Sequence, residues 1–341
     1  VRPGATLRSH HIERIALQWW ALQNADIPVE RCTLIHLNPS HCAPGPEPLF
    51  LTQDITPAIR AAALRLGPRF AEFEPEMVAD APEPEPGAHC TRPRPCVRLA
   101  ECRGADTEHS ISELHRVKER VLKRLRSNGI ERIEDIPVGF PLPPIADRQR
   151  RAVQSGKLVV DGGLAGALAG IAAPVAFIDF EAVQPAVPLW TGCRPFEAIP
   201  VQVSVHVQDE EGSIRHMEWM VNGPGAPRPA LAAFLAPLAQ TTRTFVAYYS
   251  PFEQNMLTML ANGAAPEHRE ALMASTTRFV DLLPLVRDHV YHPHFRGRFS
   301  LKTVVAALLP DLSYDDLAVN RGDLASLLLE EVILADTHEL E

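Results

Sequence analysis

The sequence predicts an α/β protein whose larger part is a mixed sheet flanked by helices, and three patterns predict it. VAFIDFE, residues 175–181, is an apolar run whose Val175, Phe177, Ile178 and Phe180 suit a buried strand. IPVQVSVHVQ follows, with Val201, Val203, Val205 and Val207 alternating with polar residues, as in a half-buried strand. After a third strand near IRHMEWMV, helical and strand-like segments alternate to the end. Three strands in succession and then alternation suit a mixed sheet rather than a doubly wound parallel one.

Taken in order, HIERIALQWWALQN sets Ile12, Ile15, Ala16, Trp19 and Leu22 at helical spacing, and CTLIHLN then reads as a strand. The breaker-rich PSHCAPGPEP separates this from a second helical pattern near ITPAIRAAALRLG. Residues 76–106 turn acidic, then rich in Pro and Cys, and mark the edge of a first, smaller α/β unit. Ser110 and Glu113 form a capping box ahead of the basic SELHRVKERVLKRLRSNG, read as a solvated linker helix or as a track for a phosphate backbone. Beyond the three strands come a helix near PALAAFLAPLAQ, a strand TFVAYYS, a helix PFEQNMLTMLANG, and a helix LKTVVAALLP opened by Ser300. The expected domains are 1–105, a helical linker 106–165, and 166–341.

At 341 residues the chain has room for two cores, and 46% apolar with 22% charged residues is the balance of a globular protein. No apolar run is long enough for a bilayer and no signal peptide is recognisable, so a cytoplasmic protein is expected, with no membrane partner. The chain opens on Val rather than Met, which fits a piece of something longer. A net charge of -9 argues against wholesale wrapping by nucleic acid but leaves room for a local basic groove.

The chemistry concentrates at the end of VAFIDFE. On a strand, positions i and i+2 share a face, so Asp179 and Glu181 point the same way. Two adjacent carboxylates repel, and a divalent metal is the simplest partner that keeps both ionised. Strand-end acids are also ordinary solvated turn residues, and the pair alone does not decide. Glu253 falls just after a strand in the first turn of a helix, where the dipole favours an anion. It is a third carboxylate for the same site, or simply a good first-turn residue. Asp281 reads as a helix cap, and Asp315 and Asp316 as turn residues. His292 and His294, beside the basic FRGRF, are candidates to touch a phosphate, and Arg298 and Lys302 are candidate nucleic-acid contacts.

Cys90, Cys96 and Cys102 are evenly spaced with five residues between successive thiols. Soft thiolates at such spacing suggest zinc or an iron–sulfur cluster, one ligand short, with His89 or a residue outside this chain as the fourth. Three unrelated loop thiols are the other reading. Cys32, Cys42 and Cys193 read as small apolar residues.

FIDFEAVQPAVP, RPFEAIPVQVSVHV, AYYSPFE, VDLLPLVR, YHPHFRGRFSLKTV and LSYDDLAVNRGDLA, in that order, resemble a bacterial family known as domain-of-unknown-function family number 2779. The resemblance covers roughly residues 165–341 and implies a ribonuclease H-like fold of the DEDD exonuclease type. It maps the D-x-E motif of such enzymes onto Asp179 and Glu181. Their second motif maps onto Glu253, a Glu where many members carry Asp. The last acid belongs on a C-terminal helix expected to be cut short here, with Asp336 the one late candidate.

Residues 1–105 are similar to the C-terminal part of a RecB-type PD-(D/E)XK nuclease, a restriction-endonuclease-like α/β fold whose upstream acids this chain lacks. Gln18 would match that family's helical Gln and Arg2 would stand at or near its motif Lys. The three clustered Cys would then belong to a [4Fe-4S] cluster with its fourth ligand upstream. Together the resemblances imply a metal-dependent 3′–5′ exonuclease acting on single-stranded DNA or RNA ends. Asp179, Glu181 and Glu253 would hold two Mg2+ or Mn2+ ions. The rival expectations are a non-catalytic nucleic-acid-binding scaffold on decayed nuclease folds, and a structural iron–sulfur or zinc protein.

Overall fold

A computed structural model describes residues 7–78, 90, 96–102, 108–312, 317–319 and 322–335. The chain divides into a smaller unit, Val1–Arg94 with Gln184–Ala198, and a larger one, Pro95–Val183 with Ile199–Glu341.

In the smaller unit the helical spacing seen from Ile12 to Leu22 becomes α1, Ser9–Asn24. Thr33–Leu37 (β1) and Phe50–Asp54 (β2) pair as an antiparallel hairpin. Two helices follow, α2 (Thr56–Ala63) and α3 (Leu66–Val78). Ala16 and Trp19 of α1 meet Ile59, Ala62 and Ala63 of α2 in a small apolar core, while Trp20 stacks on Phe70 with ring centroids 4.4 Å apart. Gln184–Ala198 is tied to this unit through the backbone: Ala43 N–H donates to the Cys193 carbonyl at 3.1 Å, and Gly192 N–H to the Ala43 carbonyl at 2.6 Å.

The larger unit begins with a short turn of helix, α4 (Leu99–Cys102), then α5 (Glu119–Ser127) and α6 (Pro144–Ser155). Ser110 does cap a helix, but not the basic one. Its hydroxyl accepts from Ser112 N–H and opens a single 3-10 turn, Ile111–Glu113, and α5 starts only at Glu119. The expected capping box does not form, and the Glu113 carboxylate meets Arg296 at 2.5 Å instead. Ile111, Leu125, Ile133, Ile136 and Ala146 form the core of this helical part.

A two-residue strand β3 (Val159–Val160) and a short helix α7 (Leu164–Leu168) lead into the main sheet. Its first members are β4 (Val175–Val183), β5 (Ile199–Gln208) and β6 (Ile214–Met220), the expected succession. Then come α8 (Pro227–Thr241), β7 (Thr244–Ala247), α9 (Pro251–Gly263), α10 (Pro266–Ser275) and β8 (Phe279–Asp281). The chain continues through α11 (Leu282–His289), β9 (Val290–Tyr291), α12 (Leu301–Leu308) and α13 (Gly322–Leu334). The five-stranded sheet is ordered β6-β5-β4-β7-β8. β4, β7 and β8 run parallel, and β5 is antiparallel to both β4 and β6. This is a mixed sheet flanked by helices, as expected.

Alternation dictates which faces are covered. Ala176, Ile178 and Phe180 of β4 and Val201, Val203 and Val205 of β5 are buried, as are Leu231 and Leu235 of α8, which packs on β5. Burying each of the Val, Leu, Ile and Phe side chains among them contributes about 1.5–3 kcal/mol. The opposite face carries Phe177, Asp179 and Glu181 of β4 and Gln202, Ser204 and His206 of β5.

Candidate functional site

Phe177, Asp179 and Glu181 lie on the face of β4 opposite the buried Ala176, Ile178 and Phe180. Across the ladder Asp179 pairs with Ser204 and Glu181 with Gln202, so the acids sit on a polar sheet face. That face continues onto β6. Ser204 lies 3.0 Å from His216 Nε2, and the His206 and His216 rings stack at 4.4 Å. The register shifts between Glu181 and Ala182, a bulge next to the second acid. Bulges re-aim neighbouring side chains and are frequent beside functional sites.

Three parallel strands deliver their carboxyl ends to this place, the end at which α/β sheets bind ligands. β4 brings Asp179 and Glu181. β7 leads through Tyr248 and Tyr249 into α9, whose first turn carries Glu253. β8 ends on Asp281, opposite Ala247. Asp281 is a cap, as expected, but of two structures at once. It accepts from Leu283 N–H at 2.9 Å to open α11, and from Tyr249 and Ser250 N–H at 2.8 and 3.1 Å to hold the turn before α9. Tyr249 has a φ of 72° there, a left-handed conformation that a non-glycine residue holds only when its surroundings insist. The second role of Asp281 depends on strand register and has no local sequence signal.

The electrostatics of the acids agree with their crowding. Glu253 is 5% exposed, and burial pushes its carboxyl up to about 7, with Asp179 and Asp281 adding repulsion and its own backbone N–H opposing. Asp179 keeps exposed surface, yet the protein packed around it is enough to raise its carboxyl by desolvation. Glu181 is raised by burial first and by Asp179 second. Glu253 Oε2 is buried with no hydrogen-bond partner. A buried acceptor left unsatisfied is costly, and such a group is explained by a missing ion or water or by a catalytic role. Hard oxygen ligands with surplus negative charge fit Mg2+ or Mn2+. Among the described residues no three His, Cys, Asp or Glu side chains are already gathered closely enough to hold an ion. The cation would have to draw them together.

α13 packs against β4. Its Ser326 hydroxyl donates to the Ala182 carbonyl at 3.2 Å, and a Cβ at Gly322 would lie 4.0 Å from Glu181 Oε1. Asp336 lies outside the described residues, as do Asp315, Asp316, His89 and Arg2. Gln18 is on the exposed side of α1. Cys90 is buried, Cys96 exposed and Cys102 half-buried, with Cys90 in the smaller unit and the other two in the larger.

The basic segment after β9 stands apart from the acids. His292 accepts from His294 N–H and caps a 3-10 turn, Pro293–Phe295. Arg298 is exposed, as is Lys302 in the first turn of α12. The segment is anchored to the acidic site through Tyr248, whose hydroxyl donates to the Phe299 carbonyl at 2.6 Å and is pushed up to about 12 by burial and then by Asp281.

No curated protein and no solved structure matches the chain. Residues 176–300, from β4 to the cap of α12, match the family described as Domain of unknown function (DUF2779).

Proposed function

We propose that the larger unit is a metal-dependent nuclease with a ribonuclease H-like core, hydrolysing phosphodiester bonds at the 3′ ends of DNA or RNA strands. The observation that carries this reading is the set of acids at the carboxyl ends of the central parallel strands. Asp179 and Glu181 come from the middle strand, and Glu253 from the helix after its parallel neighbour. The strand order supports the fold half of the reading: counted along the chain it runs 3-2-1-4-5, with only the second strand reversed, as in ribonuclease H-like proteins.

Asp179, Glu181 and Glu253 would hold two divalent ions, Mg2+ or Mn2+. Bound there, the ions supply an activated water and stabilise the leaving 3′ oxygen. The chain's own contribution is positional and electrostatic. β4 fixes two carboxylates on one face, and the Asp281 cap fixes the turn that aims α9 and Glu253. Glu253, with its raised affinity for a proton, gives that proton up when a cation arrives. Incubation of the protein with end-labelled oligonucleotide and Mn2+ tests the reading. Stepwise shortening in the wild type, lost by at least about 100-fold in Asp179→Ala, is expected. No shortening, or shortening untouched by the substitution, overturns it.

A second reading, a nucleic-acid-binding module that has lost catalysis, is favoured by Glu rather than Asp at position 253. The smaller unit is read as the end of a RecB-type nuclease domain. Assignment of Cys90, Cys96 and Cys102 to an iron–sulfur or zinc site rests on their spacing. No helix among the described residues is long and apolar enough to cross a membrane.

A further inference from the structure

We propose that a cleft between residues 112–116 and 294–298 is a phosphate site that grips the backbone of a nucleic-acid strand. That the phosphate belongs to nucleic acid rests on the function proposed above; the phosphate chemistry stands on the cleft. The cleft measures about 400 Å³ and is lined by three arginines, Arg116, Arg296 and Arg298, against a single acid, Glu113. Arg296 spends its charge on Glu113, with Nε and an Nη both donating to Oε1 at 2.9 and 2.5 Å. Among the described residues Arg116 and Arg298 make no side-chain hydrogen bond or ion pair, so two guanidinium charges remain over a polar hollow. Planar guanidinium forks are the groups best matched to phosphate oxygens.

The cleft is built rather than incidental. Gln149, fully buried, donates to the Glu113 carbonyl and accepts from His115 N–H, both at 3.0 Å. Gly297 N–H donates to the Tyr291 hydroxyl at 2.8 Å, and His115 Nδ1 lies 3.0 Å from the Gly297 carbonyl. A carbonyl can only accept, so Nδ1 is the protonated nitrogen and the bond fixes the ring between the two segments. Gly297 permits the approach: its φ is 75°, and a Cβ there would stand 2.0 Å from the Glu113 carbonyl oxygen. Arg116 and Arg296 themselves have φ values of 51° and 46°, two left-handed non-glycine residues on one cleft. Such strain is retained where the surroundings over-determine it, and it gathers at functional sites. Phe299, whose ring meets His115 edge-on at 4.9 Å, carries the carbonyl that receives Tyr248, so the cleft is fixed to the turn that leads to Glu253.

The test is binding of a labelled single-stranded oligonucleotide, by fluorescence anisotropy in EDTA, where cleavage plays no part. Arg116→Gln with Arg298→Gln is expected to weaken binding about tenfold and to flatten the log K against log salt slope by roughly 1.4, about 0.7 per lost phosphate contact. Inorganic phosphate is expected to compete with the oligonucleotide in the wild type. Arg116→Gln alone, at an exposed side chain, is expected to remove about half the slope change, which keeps the test decisive should the double variant unfold. Unchanged affinity and slope overturn the proposal. So does stabilisation by inorganic phosphate with no effect of the variants on oligonucleotide, which would make the cleft a site for a free phosphate. Because no metal is present, this result is separate from that of the cleavage assay.

Discussion

At the scale of single residues, Glu253 sets the pH response of the site. Its folded-state affinity for protons is raised, to about 7 from an ordinary 4.5, so its neutral form is the one the fold prefers. Between those two values the unfolded chain has released the proton and the folded chain has not. The stabilisation is therefore fully present below about pH 4.5 and is lost as pH rises through about 7, a swing of roughly 3 kcal/mol. Glu253→Gln, which keeps the shape and removes the ionisation, is expected to raise the metal-free melting temperature at pH 8 and to flatten its fall between pH 5 and 8. Thermal unfolding across that range is the measurement, and an unchanged profile would refute the assignment. Much of this site was legible in the sequence, because its signals are local. Asp179 and Glu181 are placed on one face by the period of a strand, and Glu253 by its position one turn past another. Arg116 falls in the basic segment that the sequence leaves open between a linker helix and a phosphate track, and only the fold brings Arg298, about 180 residues further on, beside it.

At the scale of elements, the turn between β7 and α9 is held by a side chain from a different strand. Asp281→Ala removes the acceptor for Tyr249, Ser250 and Leu283 N–H together. Loss of a cap plus two turn bonds is expected to cost about 2 kcal/mol, with the Tyr249 turn relaxing from its left-handed conformation. Urea denaturation gives the energy. Hydrogen exchange at residues 249–253 gives the locus, and protection lost evenly over the whole chain would point elsewhere. Element types followed from periodicity wherever a segment buries one face, as the alternating valines of β5 and the α1 stripe show. Local spacing misled at one helix start. Ser110 and Glu113 have the right spacing for a capping box, but the glutamate meets the distant Arg296 instead, and the helix starts at Glu119. α10 has no periodic signal in the sequence, since PEHREALMAS mixes charge and small residues and buries only Leu272 and Ser275.

At the scale of the whole molecule, the two units are interleaved in sequence. The chain leaves the larger unit after Val183 and re-enters it at Ile199, and these two residues are directly paired on β4 and β5. A two-residue Asn-Gly turn could therefore replace residues 184–198 without disturbing the sheet. That replacement is expected to leave the thermal midpoint of the larger unit nearly unchanged and to lower that of the smaller. The smaller unit loses the partners of the Ala43 N–H and carbonyl and the buried Trp190 and Cys193. Calorimetry resolving two transitions would check it, and an equal fall in both would contradict it. The interleaving also imposes a schedule on the ribosome. The helices and hairpin of the smaller unit emerge first, but the segment that completes them is made only after residues 95–183, ~5–20 s later at ~5–20 residues per second. For that interval the nascent chain holds an unfinished unit with Ala43 unpaired, a natural moment for a chaperone to bind.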